Sequence, residues 1–153
     1  MAKEIERKYL VKGQDWKQLA SGTVYRQGYI ATTGTQTVRI RVIDQQGYLT
    51  IKGANQGIIR SEFEYPIPVN DAEEILETLC DRPLIEKIRY KIPQDNLIWE
   101  VDEFLGDNAG LVIAEIELTD PQQKISLPPW IDRQVTDPKY FNSNLVKHPY
   151  KDW

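Results

Sequence analysis

The sequence predicts a mainly β fold in which eight antiparallel strands close into a barrel, with helices packed outside it and a helix at the C-terminal end. Apolar and charged residues alternate along eight segments, which is the two-residue period of a strand whose faces have different surroundings. Most connections between the segments are short and carry Gly, Asn, Asp or Pro, as turns between antiparallel neighbours require. Most segments carry charges of one sign, which indicates a face built for more than contact with water.

The predicted strands follow one another with few long interruptions. They cover residues 3–11, 23–31, 36–43, 47–53, 59–67, 84–93, 96–105 and 112–118. The turn at Gly53-Ala-Asn-Gln-Gly57 is typical of these connections. It lacks the Gly-Lys-Ser/Thr ending of a phosphate-binding P-loop, so we interpret it as a hairpin turn.

Helices are expected where the strand alternation stops. They are predicted at about 14–20, at 71–80, at 129–134 and from about 138. The second has an apolar stripe that includes Cys80, the only cysteine, for which we expect a packing role. The last has the clearest start, because Asp137 is a good N-cap and Pro138 fits the first helical position.

Charged residues recur two positions apart on one face of the strands, and each pair shares one sign. The pairs are Glu4 and Glu6, Arg39 and Arg41, Glu62 and Glu64, Lys87 and Arg89, Glu100 and Asp102, and Glu115 and Glu117, with Lys8 following the first pair and Lys52 alone on its strand. Like charges about 6.5–7 Å apart repel by roughly 2 kcal/mol at an effective dielectric near 20. We therefore expect groups of opposite charge to relieve the repulsion, a polyanion for the basic pairs and a divalent metal for the carboxylate pairs.

A barrel would gather this ionic face around its interior, whereas a sandwich would expose it. Eight strands leave an interior just wide enough for side chains or one small ligand. Burying many charges in a dry interior would cost several kcal/mol each, so the interior is expected to be wet, metal-loaded and open at its ends, that is, a tunnel. Helices on the apolar outer face would explain why Phe63, Tyr65, Tyr90 and Trp99 point away from the charges.

Length and composition narrow the class of protein. A chain of 153 residues is expected to form one domain, 1–153, with a core of its own. The formal net charge of −4 argues against a general nucleic-acid binder, which normally carries a basic excess. No apolar run approaches the roughly 18 residues of a membrane span, and we expect a soluble cytoplasmic protein.

The strand motifs resemble one known family. Glu4-x-Glu6-x-Lys8 resembles the signature of the CYTH domain, that is, of the triphosphate tunnel metalloenzymes, which include thiamine triphosphatases, inorganic tripolyphosphatases, class IV adenylyl cyclases and some RNA triphosphatases. Further motifs look like the family's successive strands, in the family's order: Arg39-Ile-Arg41, Leu49-Thr-Ile-Lys52-Gly53, Glu62-Phe-Glu64-Tyr65, Ile85-Glu-Lys87-Ile-Arg89, Trp99-Glu100-Val-Asp102 and Ala114-Glu115-Ile-Glu117-Leu118. The resemblance covers nearly the whole chain.

The resemblance implies a tunnel that hydrolyses or rearranges a triphosphate, in which basic residues bind phosphates and acidic residues hold Mg²⁺ or Mn²⁺. The positions that match phosphate binding are Lys8, Arg39, Arg41, Lys52, Lys87 and Arg89. The positions that match metal binding are Glu4, Glu6, Glu115 and Glu117, with Glu62, Glu64 and Asp102 as further acidic members of the lumen.

A few residues are candidates for more particular roles. Lys8 is the first candidate for catalysis, because it shares a strand face with two expected metal ligands. Tyr29 resembles a family tyrosine that can neighbour this lysine, and ordinary strand packing is its alternative. Lys147 could reach the tunnel mouth from the last helix as a substrate contact, and a solvated lysine is the simpler alternative. His148, the only histidine, is expected at the surface or in packing.

Three functions are compatible with these residues. The first is hydrolysis of inorganic tripolyphosphate to orthophosphate, favoured because short loops leave little material for binding a base or a thiamine ring. The second is a class IV adenylyl cyclase or a thiamine triphosphatase on the same tunnel, and the third is a polyphosphate-binding module without turnover. The expected partner is a small-molecule triphosphate, with no stable nucleic acid partner and no membrane, and no pattern in the sequence predicts an oligomeric state.

Overall fold

A computed structural model of the chain describes residues 2–153 and contains nine strands and two α-helices. The strands are β1 (Lys3–Val11), β2 (Gly22–Ile30), β3 (Thr37–Ile43), β4 (Gln46–Lys52), β5 (Ile59–Ile67), β6 (Ile85–Gln94), β7 (Leu97–Phe104), β8 (Val112–Glu117) and β9 (Ile131–Val135). The helices are α1 (Val69–Thr78) and α2 (Asn142–Lys147). Single turns of 3₁₀ helix lie at Asp15–Leu19, Gly106–Asn108, Pro138–Tyr140 and Tyr150–Asp152.

The first eight strands form a closed antiparallel barrel, which confirms the predicted fold class. The strand order is β5-β4-β3-β2-β6-β7-β8-β1-β9, and a further pairing of β5 with β1 closes the sheet. Strand β1 shares one of its edges between two partners. Its first residues, Lys3 to Ile5, pair with β5, whereas Lys8 to Val11 pair with β9, and β8 occupies the other edge. The ninth strand therefore extends the sheet where the barrel seam ends.

The helix predicted at 129–134 was wrong, because this segment forms β9. Ile131 and Val135 are buried four residues apart with three exposed residues between them, which is a helical spacing when the segment is taken alone. The edge of β1 offers backbone partners to this segment, and tertiary pairing overrides the local pattern.

The other helices differ from the prediction in length and continuity. The first is only the 3₁₀ turn at Asp15–Leu19, and the second is α1, displaced by two residues from 71–80. The last is broken, because Phe141 has an extended backbone between the turn at Pro138–Tyr140 and α2. The predicted cap is present, with Asp137 accepting a hydrogen bond from the backbone N–H of Lys139 at 2.9 Å.

The apolar core lies outside the barrel wall, between the strands and the segments that cover them. Trp99 is fully buried and meets the rings of Tyr9 and Trp130 edge to face. Helix α1 covers another region with Ala72 and Leu76, and Cys80 packs there as predicted. On the uncovered part of the outer face Phe63 and Tyr65 are 41% and 53% exposed. In the described chain no helix is long and apolar enough to cross a membrane.

We predict that Gly47→Ala destabilises the fold, because α1 lies directly on β4 at this residue. A Cβ on Gly47 would stand 2.6 Å from the Cβ of Ala72 and 3.1 Å from the carbonyl oxygen of Ile67. Such overpacking costs about 1–3 kcal/mol of unfolding free energy, measured by chemical denaturation. Gly53→Ala is the control, since its Cβ would meet nothing closer than 3.5 Å. Equal stabilities of the two variants would contradict the close approach.

Candidate active site

The barrel encloses a cavity of about 520 Å³ whose wall is mostly ionic. Eight cations line it: Lys8, Arg39, Arg41, Lys52, Arg60, Lys87, Arg89 and Lys91. Seven carboxylates join them: Glu4, Glu6, Glu62, Glu64, Glu100, Glu115 and Glu117. The strand alternation therefore places the predicted charged face in the lumen, as the sequence indicates.

The strand order gives the lumen separate acidic and basic walls. On the acidic side β1, β8 and β7 are neighbours, and their register sets Glu6 opposite Glu117 and Glu100 opposite Glu115. On the basic side β4 carries Lys52, and its neighbour β3 carries Arg39 and Arg41. Strand β6, which is basic, pairs with the acidic β7 and joins the two walls.

Lys8 lies between two carboxylates of the acidic wall. Its ammonium group donates to Glu6 Oε1 at 3.0 Å and to the carboxylate of Glu115. Burial opposes the charged form of Lys8, but Glu115 and Glu6 raise its pKa above the ordinary value. Burial and then the charge of Glu115 raise the pKa of Glu6 to about 8. Although burial acts in the opposite sense, Lys8 and Arg89 hold the pKa of Glu115 well below its usual range.

Lys52 bridges a second pair of carboxylates. Its ammonium group is 3.1 Å from Glu4 Oε1 and 3.3 Å from Glu62 Oε2. Burial raises the pKa of Glu4 in spite of this cation. Burial likewise raises the pKa of Glu117, which faces the charges of Glu4 and Glu62. This corner of the lumen therefore holds three carboxylates, Glu4, Glu62 and Glu117, around the one ammonium group of Lys52.

Asp102 is buried behind the lumen and binds two cations of the basic wall. It is 1% exposed and does not line the cavity. Its Oδ2 accepts from Lys87 Nζ at 2.7 Å and from Arg89 Nη2 at 2.8 Å, and its Oδ1 accepts from Arg89 Nε at 2.7 Å. Burial lowers the pKa of Lys87 to about 7, against the attraction of Asp102. Both carboxylate oxygens of Asp102 are thus engaged by side chains of the protein.

The two arginines of β3 keep unused hydrogen-bond donors. Arg39 donates to Thr50 Oγ1 at 3.1 Å and to Glu64 Oε2 at 3.3 Å, while its buried Nε has no hydrogen-bond partner among residues 2–153. Arg41 donates from Nε to the side-chain oxygen of Gln27 at 2.9 Å and pairs with no carboxylate of the described residues. A buried guanidinium with free N–H groups favours an anionic partner, because leaving such donors unpaired costs free energy.

Two polar residues that the sequence analysis missed connect this site. Gln27 is fully buried, and its amide nitrogen donates to the hydroxyl of Tyr29 at 2.7 Å and to Asn142 Oδ1 at 3.3 Å. Asn142 opens α2 and also accepts from Lys87 at 2.8 Å. Gln27 lies two residues before Tyr29 on β2, so strand alternation places both side chains on the same face, and the sequence contains that signal. The residues around Asn142 contain no pattern that identifies it as part of the site.

The remaining candidates lie at different distances from the lumen. Tyr29 lines the cavity, but its hydroxyl accepts a hydrogen bond from Gln27 and is not bonded to Lys8. Lys147 is exposed on α2 and does not line the cavity, although Phe141, Asn142 and Ser143 from the same region do. His148 is exposed, as expected.

The carboxylates do not converge into a ready metal site within residues 2–153, where no group of three or more metal-binding side chains is close enough to hold an ion. Lys8 and Lys52 lie between the acids instead. The donor set nevertheless fits a hard divalent cation, which prefers carboxylate oxygens. Burial raises the pKa values of Glu4, Glu6 and Glu117, neighbouring carboxylates raise them further, and a bound cation would oppose both effects.

Comparisons with known proteins agree with this geometry. A family model described as the CYTH domain matches residues 2–150. An inorganic triphosphatase of Acetivibrio thermocellus is 57% identical over 100% of this chain and 99% of its own length, and one of Nitrosomonas europaea is 35% identical over 94% and 95%. A crystal structure of an inorganic triphosphatase superposes with a TM-score of 0.66 at 30% identity and covers 95% of both chains. A putative adenylyl cyclase from Hippeastrum, described as having a dominant triphosphatase activity, shares the fold with a TM-score of 0.64 at 16% identity, over 78% of this chain and 81% of its own.

We predict that Asp102→Asn lowers the unfolding free energy by about 3–5 kcal/mol, because it removes the carboxylate partner of buried Lys87 and one of the three carboxylate partners of Arg89. Inorganic sulfate should then raise the melting temperature of the variant more than that of the unchanged protein. Glu100→Gln is the control, since Glu100 is 28% exposed and contacts Arg89 at 3.1 Å, and it should cost less than about 1 kcal/mol. Equal losses in the two variants would contradict the role of Asp102.

Proposed function

The chain belongs to the CYTH domain family, and on that premise we propose that it is a metal-dependent hydrolase of a short triphosphate. The proposed substrate is inorganic tripolyphosphate, and the products are orthophosphate and pyrophosphate. The two inorganic triphosphatases to which the chain is similar, at 57% and 35% identity over nearly full length, support this choice.

The observation that carries the proposal is that arginine side chains inside the barrel keep N–H donors not used by other side chains of the described residues. Within the described part of the chain, the buried Nε of Arg39 has no hydrogen-bond partner and Arg41, which lines the lumen, pairs with no carboxylate. A small polyanion would satisfy both. Planar guanidinium forks match phosphate oxygens in two parallel hydrogen bonds, which a lysine cannot do.

Phosphoryl transfer asks the protein mainly for positioning and for stabilisation of charge. The residues proposed to position the phosphates are Lys8, Arg39, Arg41, Lys52, Lys87 and Arg89. We propose that Asp102 orients Lys87 and Arg89 rather than binding metal, because both of its oxygens are already engaged. Gln27 would hold Arg41 and the Tyr29 hydroxyl in a fixed arrangement, which gives Tyr29 an orienting role.

Lys8 is proposed to act where charge develops in the reaction. Its ammonium group now pairs with Glu6 and Glu115, and it would turn towards the phosphate when substrate enters. The two carboxylates would then be free as ligands. We propose that Glu4, Glu6, Glu115 and Glu117 hold Mg²⁺ or Mn²⁺, with Glu62 and Glu64 nearby, and the metal would supply Lewis-acid stabilisation of phosphate oxygens.

We predict that tripolyphosphate is converted to orthophosphate with Mg²⁺ or Mn²⁺ and that EDTA abolishes turnover. The measurement is quantitative product analysis with tripolyphosphate, thiamine triphosphate and ATP, each with either metal. Cyclic AMP and pyrophosphate from ATP would identify a cyclase instead. Metal-dependent binding without any product would identify a binding module, and full turnover in EDTA would contradict the metal assignment.

We predict that Lys8→Met lowers kcat by about 100-fold or more while KM changes less, because the ammonium group stabilises charge in the transition state. Steady-state kinetics on tripolyphosphate measure the effect. Lys17→Met is the matched control, since Lys17 also pairs with a carboxylate, Glu103 at 2.6 Å, but lies outside the cavity. A rise in KM alone for Lys8→Met would assign Lys8 to substrate binding only.

A further inference from the structure

Arg60 lines the cavity and carries a charge that no carboxylate of the described residues neutralises within 4.0 Å. It is half-buried on β5. Its Nε donates to the backbone carbonyl of Gly53 at 3.1 Å, and its Nη2 donates to Thr37 Oγ1 at 3.2 Å. Both acceptors are neutral. Five other cations of the lumen do touch carboxylates: Lys8, Arg39, Lys52, Lys87 and Arg89.

The hydrogen bond to the hydroxyl of Thr37 holds the Arg60 guanidinium at one end of a row of lumen-facing residues on β3. Thr37, Arg39 and Arg41 all line the lumen from β3, two residues apart, and each step along a strand of this kind is about 6.5–7 Å. Thr37 itself has no charge. Arg60 extends from β5 past β4 to this position, so that it occupies the place of a third arginine in the row.

We propose that Arg60 is a phosphate-binding residue, which holds the phosphoryl group of the substrate that lies farthest from Arg41. The inference rests on the proposed function, because it requires a linear triphosphate in the lumen. Arg39, Arg41 and Arg60 would then all donate to oxygens of the same linear anion. Nε and Nη2 of Arg60 hold the side chain in place, while Nη1 makes no hydrogen bond to the protein and is available to phosphate oxygens.

A purely structural role for Arg60 gives a different expectation. The two hydrogen bonds connect the 53–57 loop to β3, so removing the side chain would lower stability. It would not change the affinity for an anion. Stability and affinity therefore have to be measured on the same variants.

The test compares tripolyphosphate with pyrophosphate, which has one phosphoryl group fewer. Binding is measured by titration calorimetry in EDTA, so that no turnover occurs. Arg60→Met should weaken tripolyphosphate binding about 10- to 100-fold, the usual effect of losing a hydrogen bond to a charged group, and should change pyrophosphate binding by less than about threefold. Arg60→Lys should be intermediate. In turnover assays Arg60→Met should raise KM with little change in kcat.

Arg7→Met is the matched control, because Arg7 also donates only to neutral carbonyls, those of Pro121 at 2.9 Å and Gln123 at 2.7 Å, but lies outside the cavity. It should leave both affinities unchanged. If Arg60→Met fails to fold, Thr37→Val replaces it, since it removes the hydroxyl that positions the guanidinium and should also weaken tripolyphosphate binding selectively.

Two results would overturn the inference. Unchanged tripolyphosphate affinity in a folded Arg60→Met protein would assign Arg60 to structure, and equal weakening of both ligands would place it away from the third phosphoryl group. If the unchanged protein hydrolyses tripolyphosphate while either result holds, only the inference about Arg60 fails. If the unchanged protein neither binds nor hydrolyses tripolyphosphate, the proposed function fails and the inference with it.

Discussion

The structure depends on keeping many charges inside a closed barrel, where each unpaired ion costs several kcal/mol. The lumen holds eight cations and seven carboxylates, which is close to electrical balance. Balance of this kind is possible because acidic strands stand beside basic ones. Lys8 and Lys52 each bridge two carboxylates, and Asp102 neutralises the basic pair of β6 from behind. The fold can therefore form before any ligand enters.

This balance changes the meaning of the like-charged pairs in the sequence. Repulsion between like charges on one strand predicts that a ligand supplies the opposite charge. In the structure, side chains of neighbouring strands supply much of that opposite charge. The balance is incomplete in two places. In one place Arg39, Arg41 and Arg60 have more N–H donors than the carboxylates of the described residues accept from. In the other Glu4, Glu6 and Glu117 have raised pKa values. Both features support the proposed substrate, a metal-bound polyanion.

The eight barrel strands and their lumen faces could be predicted because strand alternation is a local property. Alternation gives the face of a residue and not its contacts, so it could not distinguish Asp102, which is behind the lumen, from Glu100, which lines it. Arg60 lies two residues before Glu62 on β5, so the same alternation places it on the lumen face with Glu62 and Glu64, and it could have been predicted as a lumen residue. Asn142 reaches the site only through the packing of α2. Strand β9 forms only because β1 leaves an edge with which it can pair. Both features depend on contacts between distant parts of the chain, which local sequence patterns do not contain.

Strand β9 also bears on the behaviour of this protein at high concentration. A barrel without it would expose the backbone of β1 from Lys8 onwards to pairing with other molecules. The covering strand has only five residues, and its three central side chains, Asp132, Arg133 and Gln134, are exposed and carry both signs of charge. A short edge with mixed charges is a poor template for another strand, because an added chain would have to desolvate those groups. The segment that completes the seam therefore also protects the sheet from intermolecular aggregation.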